Sequence, residues 1–317
     1  MANKSLRVLF DSVHHGKYDF EDFLYGFVES SYDSIIVRGR PVYRPDKKLK
    51  AYHAFINAFV CEFLDVNERV VFSYRKGVNP HAAVVPHAGN RAFFQTDIAN
   101  FFGSVDREMV SSTLATRSTR VPVADLAEYT ERILDLTTTI EGTLPVGFST
   151  SPPISNSCLA GFDNELETYC GTNALTYTRY SDDLLVSAKA REQLAGIEAV
   201  ICRMLKAHFS NRLQLNPAKS KFTSVGRKVK MLGMVVLPTG QVTIDGELKK
   251  RIEVLLHFYL RDREKFLDLV DNDLKGGIEQ LSGYINYLNA ADGHYLEKIR
   301  RKFGAAVIDS FVHKSAS

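Results

Sequence analysis

Three aspartates stand in positions that suit metal-dependent phosphoryl transfer. Asp97 directly follows the short apolar segment AFFQT. Asp182 and Asp183 lie between two stretches rich in β-forming residues, which predicts a hairpin with both acids at its tip. Phosphoryl transfer from a nucleoside triphosphate needs two divalent cations roughly 3.5 to 4 Å apart, and Mg²⁺ prefers carboxylate oxygens as ligands. We therefore predict that the three aspartates hold two Mg²⁺ ions, with Mn²⁺ as the alternative metal.

The two adjacent acids are not equivalent. Neighbouring residues of a strand point to opposite faces, so Asp182 and Asp183 approach one ion in the same way only if the turn redirects one of them. We assign the primary role to Asp182. A Ser-Asp-Asp sequence by itself is typical of a polar turn. The strand-end Asp97 and the motifs around the turn favour the catalytic interpretation.

The hydrophobic pattern predicts the elements that position these acids. Apolar residues at helical spacing from Leu194 to Leu205 predict an amphipathic helix that packs on a sheet. Asp245 is predicted to cap the first helix of a helical C-terminal segment. This order, helices and loops followed by a mixed centre and a helical end, predicts an α+β fold. The segments predicted as strands are 92–96, 176–180, 184–187, 231–237 and 241–244.

Length and composition limit the class of protein. A chain of 317 residues allows two or three packed subdomains. The sequence has no apolar run near the roughly 18 residues of a membrane span and no secretion signal, so we expect a cytoplasmic location without membrane contact. Four cysteines without CxxC spacing favour neither a zinc site nor a disulfide framework. The net charge is only +3, but Lys and Arg cluster at 38–50, 219–230 and 249–251.

Two motifs around the acids resemble those of reverse transcriptases. The segment YTRYSDDLLVS, which contains Asp182 and Asp183, looks like the YxDD box of that family and is most similar to the bacterial retron-type form. The segment QTDIANFF, which contains Asp97, resembles the first catalytic motif of the family. The resemblance covers roughly residues 36 to 300, with the motifs in the family's order and spacing.

Four further motifs extend the resemblance. The segment LPVGFSTSPPISN at 144–156 resembles the second catalytic motif, and VYRP at 42–45 resembles the start of the fingers motif. LNPAK at 215–219 is similar to the motif that carries a lysine, and the Met-Leu-Gly sequence at 231–233 is similar to the primer-grip hairpin.

The resemblance implies a nucleotide-binding set. Phe102 takes the position of the steric gate against the ribose 2′-hydroxyl, which implies dNTP selection, and the neighbouring Phe101 is the alternative. Arg40 matches the position from which the fingers reach triphosphate oxygens, and Arg38 is the alternative.

The second catalytic motif and the lysine motif imply further contacts. Gly147 leaves room for a base pair to approach the backbone. Val146 stands where many family members have a glutamine that contacts the incoming nucleotide, so nucleotide selection or template use is expected to be unusual. Lys219 matches the lysine that protonates the leaving pyrophosphate, and Lys221 is the alternative.

Contacts to primer and template are also implied by the resemblance. Tyr284 and Tyr287 lie on the expected thumb, where they either abut nucleic acid or belong to a core stripe. The complete set of predicted nucleic-acid contacts is Tyr180, Met231, Leu232, Gly233, Tyr284 and Tyr287.

The implied fold is a right-hand polymerase of fingers, palm and thumb. We expect fingers at 1–90 with part of 120–145 interleaved, a palm with an antiparallel sheet and the primer-grip hairpin at 91–242, and a helical thumb at 243–317. The expected partners are an RNA template, a DNA primer or product, and dNTPs. Protein partners and oligomeric state are left open.

The implied activity is RNA-directed DNA synthesis on a 3′-hydroxyl. We expect the enzyme to copy a dedicated non-coding RNA in a bacterial anti-phage defence system. One alternative is a retron reverse transcriptase that makes msDNA, although the retron marker Val-Thr-Gly is replaced by Met-Leu-Gly at 231–233. The other alternative, favoured by Val146, is a template-independent DNA polymerase of the abortive-infection type.

Overall fold

The computed structural model describes residues 3–37, 39–224, 226 and 229–313. The helices are α1 (Leu6–His14), α2 (Phe20–Tyr25), α3 (Lys47–Phe59), α4 (Pro80–Val84), α5 (Arg107–Thr116), α6 (Thr130–Thr137), α7 (Ser151–Cys158), α8 (Ala160–Thr172), α9 (Ile197–Phe209), α10 (Gly246–Arg261), α11 (Arg263–Asp268), α12 (Leu274–Ala291), α13 (Gly293–Phe303) and α14 (Ala305–His313). The strands are β1 (Tyr32–Val37), β2 (Arg40–Pro45), β3 (Ala92–Asp97), β4 (Thr176–Tyr180), β5 (Asp183–Ala188), β6 (Lys221–Ser224), β7 (Val229–Met231), β8 (Met234–Val236) and β9 (Val242–Ile244).

The strands form three sheets. Strands β1 and β2 are an antiparallel hairpin, and β3 is an inner strand of a four-stranded sheet with the order β4-β5-β3-β6. Strands β7, β8 and β9 form a third, antiparallel sheet. The predicted strand before Asp97 and the predicted hairpin that carries Asp182 are therefore confirmed. The prediction of one strand over 231–237 is wrong, because a turn at Leu232 and Gly233 separates β7 from β8.

The chain divides into two compact units, and both use segments distant in sequence. The first unit contains residues 1–78, 94–186 and 194–221, and the second contains 79–93, 187–193 and 222–317. In the first unit, Phe10 is fully buried and has four phenylalanine and tyrosine neighbours with ring centroids 5.0 to 5.9 Å away. These neighbours are Phe20, Phe23, Tyr52 and Phe55.

The second unit contains the third sheet and the C-terminal helices. Asp245 precedes α10 as predicted, but its side chain does not cap the helix. Its Oδ2 atom lies 2.7 Å from Nζ of Lys230, which lies within β7 of the same small sheet. No helix within the described ranges is long and apolar enough to cross a membrane.

Candidate active site

The end of β3 and the turn between β4 and β5 bring two of the predicted acids together. The backbone N–H of Ile98 donates to the carbonyl oxygen of Asp182 over 3.1 Å, which joins the residue after Asp97 to the hairpin tip. Asp97 is only 3% exposed, whereas Asp182 is half-buried and Asp183 is exposed at the first position of β5. The hairpin tip therefore places its acids beside the end of the neighbouring strand.

A segment that follows α9 brings Lys219 to the same place. The N–H of Asn216 donates to the carbonyl of Asp97, and the N–H of Ala99 donates to the carbonyl of Gln214, both over 2.9 Å. The Lys219 ammonium forms an ion pair with Oδ2 of Asp97. This pairing raises the pKa of Lys219, chiefly through the hydrogen bond to Asp97. The structure thus brings together four side chains that were predicted from three separate motifs.

The electrostatics of the three acids suit a bound cation. Partial burial, with the charges of Asp182 and Asp97, raises the pKa of Asp183 to about 6. The Oδ1 atom of Asp97 is buried and has no hydrogen-bond partner within the described structure. Among the described residues, no group of three or more His, Cys, Asp or Glu side chains is arranged to hold a metal ion. The unsatisfied Asp97 oxygen and the mutual repulsion of the acids nevertheless fit divalent cations, because a cation relieves both.

Ser181, the residue before Asp182, has a left-handed backbone with φ of 59°. Three neighbours bind it from different sides. Its N–H donates to Oγ of Ser73 over 2.8 Å, and its hydroxyl shares a 2.7 Å hydrogen bond with the hydroxyl of Tyr74. Its carbonyl accepts a hydrogen bond of 2.9 Å from Nη1 of Arg179. The N–H, the hydroxyl and the carbonyl of this turn residue are therefore all held by neighbouring side chains.

Arg179 belongs to a fully buried ion pair with Asp163 of α8. Nη2 and Nε of Arg179 donate to the two carboxylate oxygens of Asp163 over 2.6 and 2.9 Å. The hydroxyl of Tyr177 donates to the same carboxylate over 2.8 Å, and Nη1 of Arg179 also reaches Oδ1 of Asn156 over 3.1 Å. This pair was not predicted from the sequence. The signal was an arginine within a strand whose neighbouring strand is apolar.

The two candidate gate residues differ in burial. Phe101 is 5% exposed and belongs to the core, whereas Phe102 is half-buried in the short 3₁₀ helix 102–104. The ring centroid of Phe102 lies 6.4 Å from that of Tyr74, whose hydroxyl contacts the turn before Asp182. Of the two rings, Phe102 is therefore the one that is accessible beside the hairpin that carries Asp182 and Asp183.

Gly147 lies against the backbone of another segment of the first unit. Gly147 has a φ of 112°, and a Cβ atom at this position would lie 2.1 Å from the carbonyl oxygen of Tyr43. The N–H of Tyr43 donates to the carbonyl of Val146 over 2.7 Å. The backbone of β2 thus approaches Gly147 closely, and a side chain at this position would collide with it. Val146 itself is 41% exposed.

Arg40 and Tyr180 are two further predicted contacts of the first unit. Arg40 is exposed at the start of β2, and its side chain has no hydrogen bond or ion pair with any residue that the structure describes. The alternative, Arg38, lies outside the described residues. Tyr180 is half-buried at the end of β4, directly before the turn, and partial burial raises its pKa.

The predicted primer-grip residues and one thumb tyrosine meet within the second unit. Met231 is buried at the end of β7, and Leu232 and Gly233 form the turn with φ of 49° and 79°. The hydroxyl of Tyr287 donates to the carbonyl of Leu232 over 3.0 Å. Tyr284, on the same helix, is half-buried. Tyr287 therefore contacts the turn itself.

Comparisons with known proteins identify the family. The family model described as reverse transcriptase (RNA-dependent DNA polymerase) matches residues 38–236. The retron Ec83 reverse transcriptase of Escherichia coli is 24% identical over 279 residues, which cover 86% of this chain and 85% of the relative. The retron Ec73 reverse transcriptase of the same organism is 27% identical over 274 residues, 83% of each chain. A solved structure of telomerase from Candida albicans, in complex with a fragment of telomeric RNA, aligns with a TM-score of 0.43 and 10% identity, over 81% of this chain and about half (54%) of that chain.

The family match confirms the predicted fold class, an α+β right-hand polymerase, and the resemblance to retron-type enzymes. The match covers more than half of the chain and contains every predicted catalytic residue. This chain therefore belongs to the reverse transcriptase family and is an RNA-directed DNA polymerase.

Proposed function

We propose that Asp97, Asp182 and Asp183 are the catalytic acids of this polymerase and that Lys219 assists them. The observation that carries the proposal is the buried, unpartnered Oδ1 atom of Asp97 beside the hairpin tip. A buried carboxylate oxygen without a partner is costly unless a ligand satisfies it. The three acids would hold two Mg²⁺ ions, with Mn²⁺ as the alternative. Such ions activate the primer 3′-hydroxyl and neutralise the charge that develops on pyrophosphate.

Lys219 is placed to act on the leaving group. Its ammonium pairs with Asp97, and its side chain is 60% exposed, so it can turn towards a bound triphosphate at little desolvation cost. A lysine at this place donates a proton to pyrophosphate as the bond to the α-phosphate breaks. Lys221 is exposed in β6 and is the alternative donor.

The remaining predicted residues are proposed to bind substrates. Arg40 or Arg38 would contact the triphosphate, and the exposed Val146 beside Gly147 would face the incoming base. We assign primer and template contacts to Tyr180, Met231, Leu232, Gly233, Tyr284 and Tyr287. The hydroxyl of Tyr287 already binds the Leu232 carbonyl, which favours an indirect role in which Tyr287 supports the primer-grip turn. The division into fingers, palm and thumb at 1–90, 91–242 and 243–317 remains part of this proposal.

Phe102 is proposed to exclude ribonucleotides. We expect Phe102→Ala to lower the preference for dNTPs over rNTPs, expressed as the ratio of kcat/KM values, by about 30-fold, since the ring that meets the 2′-hydroxyl is lost. Single-nucleotide incorporation with each substrate measures the ratio. Phe27→Ala, which removes an exposed ring of the same unit, is the control and should leave the ratio unchanged. An unaltered ratio in Phe102→Ala would eliminate the gate assignment.

The template is proposed to be a dedicated non-coding RNA of a bacterial anti-phage defence system. Support comes from the relatives, which are named retron reverse transcriptases and are 24 to 27% identical to this chain. The same observation favours the retron alternative, in which the product is msDNA. Both forms of the proposal place the enzyme in the cytoplasm, where template and dNTPs are available.

Primer extension tests the proposed templated synthesis. We expect a primer annealed to a defined RNA to be extended to the end of the template with complementary sequence, and a primer without template to remain unextended. Equal products with and without RNA would reject templated synthesis and support the template-independent alternative that Val146 favours. Sequencing of nucleic acid that co-purifies with the protein then reports the native template and product.

A further inference from the structure

We infer that Arg179, Tyr74 and Ser73 are positioning residues that hold the Ser181 peptide in its left-handed conformation and thereby aim Asp182. The inference rests on the proposed catalytic role of Asp182. It assigns a function to three side chains that carry none of the chemistry themselves. We call these three residues and Ser181 the turn clamp.

A left-handed backbone at Ser181 needs external support. For residues other than glycine this conformation is disfavoured, and it persists only where the surroundings fix it. The peptide groups before and after the Ser181 Cα are both bound here, since the N–H of Ser181 donates to Ser73 and its carbonyl accepts from Arg179. The Tyr74 hydroxyl binds the serine side chain itself. Each available polar group of Ser181 thus has its own partner.

The arginine of the turn clamp is itself anchored. Its Nε and Nη2 atoms are committed to Asp163, which leaves Nη1 to bind the carbonyl of Ser181 and the side chain of Asn156. A planar guanidinium has the fixed fork that this double contact requires, whereas a lysine ammonium does not. Asp163 belongs to α8, so the helix behind the sheet determines where the turn carbonyl lies.

The position of Asp182 follows from two fixed points. Its own carbonyl accepts from Ile98 on one side, and the preceding peptide is held by the turn clamp on the other. With both ends of the residue fixed, its carboxylate is directed before any substrate or cation arrives. Such preorganisation matters because a misplacement of about 1 Å can reduce turnover by roughly 100-fold.

Tyr74→Phe is the mildest test, because it removes only the hydroxyl that binds Ser181 and keeps the ring beside Phe102. We expect kcat to fall about 5-fold, the cost of one hydrogen bond, with the KM for template-primer unchanged and the half-saturating Mg²⁺ concentration raised about 3-fold. The control is Tyr52→Phe, which removes a 2.7 Å hydrogen bond to Asp22 in the same unit. It should leave both kinetic values unchanged.

Arg179→Lys distinguishes positioning from simple charge pairing. Lysine preserves a positive charge beside Asp163 but cannot also reach the Ser181 carbonyl. We expect kcat about 30-fold lower, and hydrogen exchange of the 181–183 amides in metal-free protein about 10-fold faster, with a cooperative unfolding transition retained. If the Arg179→Lys variant keeps the kcat and the hydrogen exchange of the unaltered protein, Arg179 only balances a buried charge and the inference is wrong. Should this variant fail to fold, Tyr74→Phe decides alone, and unchanged exchange and kcat there overturn the inference.

The exchange measurement separates this inference from the proposed function. It reports the rigidity of the turn without metal, substrate or turnover. If Asp182→Asn remained active, the catalytic assignment would fail, yet faster exchange in Arg179→Lys would still show that the turn clamp fixes the turn. If Asp182→Asn is inactive but exchange at 181–183 does not respond to Arg179→Lys or Tyr74→Phe, the inference fails and the proposed function stands.

Discussion

Substitution of Asp182 by asparagine is expected to reduce nucleotide incorporation by about 10³-fold or more, which corresponds to roughly 4 kcal/mol of transition-state stabilisation. Asparagine has nearly the same shape as aspartate, so the turn and its bond to Ile98 should persist. The loss arises because a neutral amide cannot offset the charge of divalent cations. Single-turnover primer extension at saturating dNTP measures the effect on the chemical step.

Asp135→Asn is a suitable control for this prediction. Asp135 is a solvent-exposed carboxylate of the same unit that pairs with Arg107 at the surface. Loss of an exposed ion pair changes stability by at most about 1 kcal/mol, so activity should be within about twofold of the unaltered enzyme. If purified Asp182→Asn retained more than a tenth of normal activity, the catalytic assignment of the hairpin would be refuted.

The second large effect concerns stability. Arg179→Met is expected to lower the free energy of unfolding by about 3 to 5 kcal/mol, because it leaves the carboxylate of Asp163 buried without its charged partner. The midpoint of urea unfolding measures the loss, provided that the unfolding free energy still falls linearly with urea concentration and with an unchanged slope. Arg69→Met is the matched control. Arg69 pairs with Glu167 on the same helix as Asp163 but is largely exposed, so its loss should destabilise the protein much less than the loss of Arg179.

A double variant tests the reason for that loss. Arg179→Met combined with Asp163→Asn removes both charges and leaves an amide oxygen that can accept from Tyr177. We expect its unfolding free energy to return to within about 2 kcal/mol of the unaltered protein. The Ser181 carbonyl would still lack its donor, so activity should stay low. A double variant no more stable than Arg179→Met would show that the methionine, rather than the unpaired charge, destabilises the protein.

Much of the local structure around the site follows from the sequence. The strand before Asp97 and the hairpin around Asp182 were predicted because β-forming runs interrupted by polar turn residues give a strong local signal. The amphipathic helix predicted from Leu194 to Leu205 corresponds to α9, shifted by a few residues. The prediction of one strand over 231–237 was wrong because Leu232 has a left-handed backbone, which the propensity of leucine does not predict.

The limits of prediction at the site have a common cause. The sequence predicts room for a base pair at Gly147, and the structure adds a contact that was not predicted, the carbonyl of Tyr43 from a distant part of the chain. Asp245 stands at the start of α10 as expected, yet its carboxylate binds Lys230. In both cases the position could be identified from the local sequence, whereas the partner depends on how distant segments pack.

The sequence by itself determined the chemistry of this protein. The aspartates, the lysine and the aromatic residue after the first motif are specified by type and spacing along the chain, and the family match contains all of them. Only the tertiary structure decided how those groups are held. The turn clamp joins Ser73, Tyr74 and Arg179 to one serine, and the ion pair to Asp163 lies wholly inside the protein. Ser73 and Tyr74 are 108 and 107 positions from Ser181, and Arg179 is held by Asp163 of a neighbouring helix. Such contacts have no periodic signature in the sequence, because their geometry exists only once sheet and helix have packed.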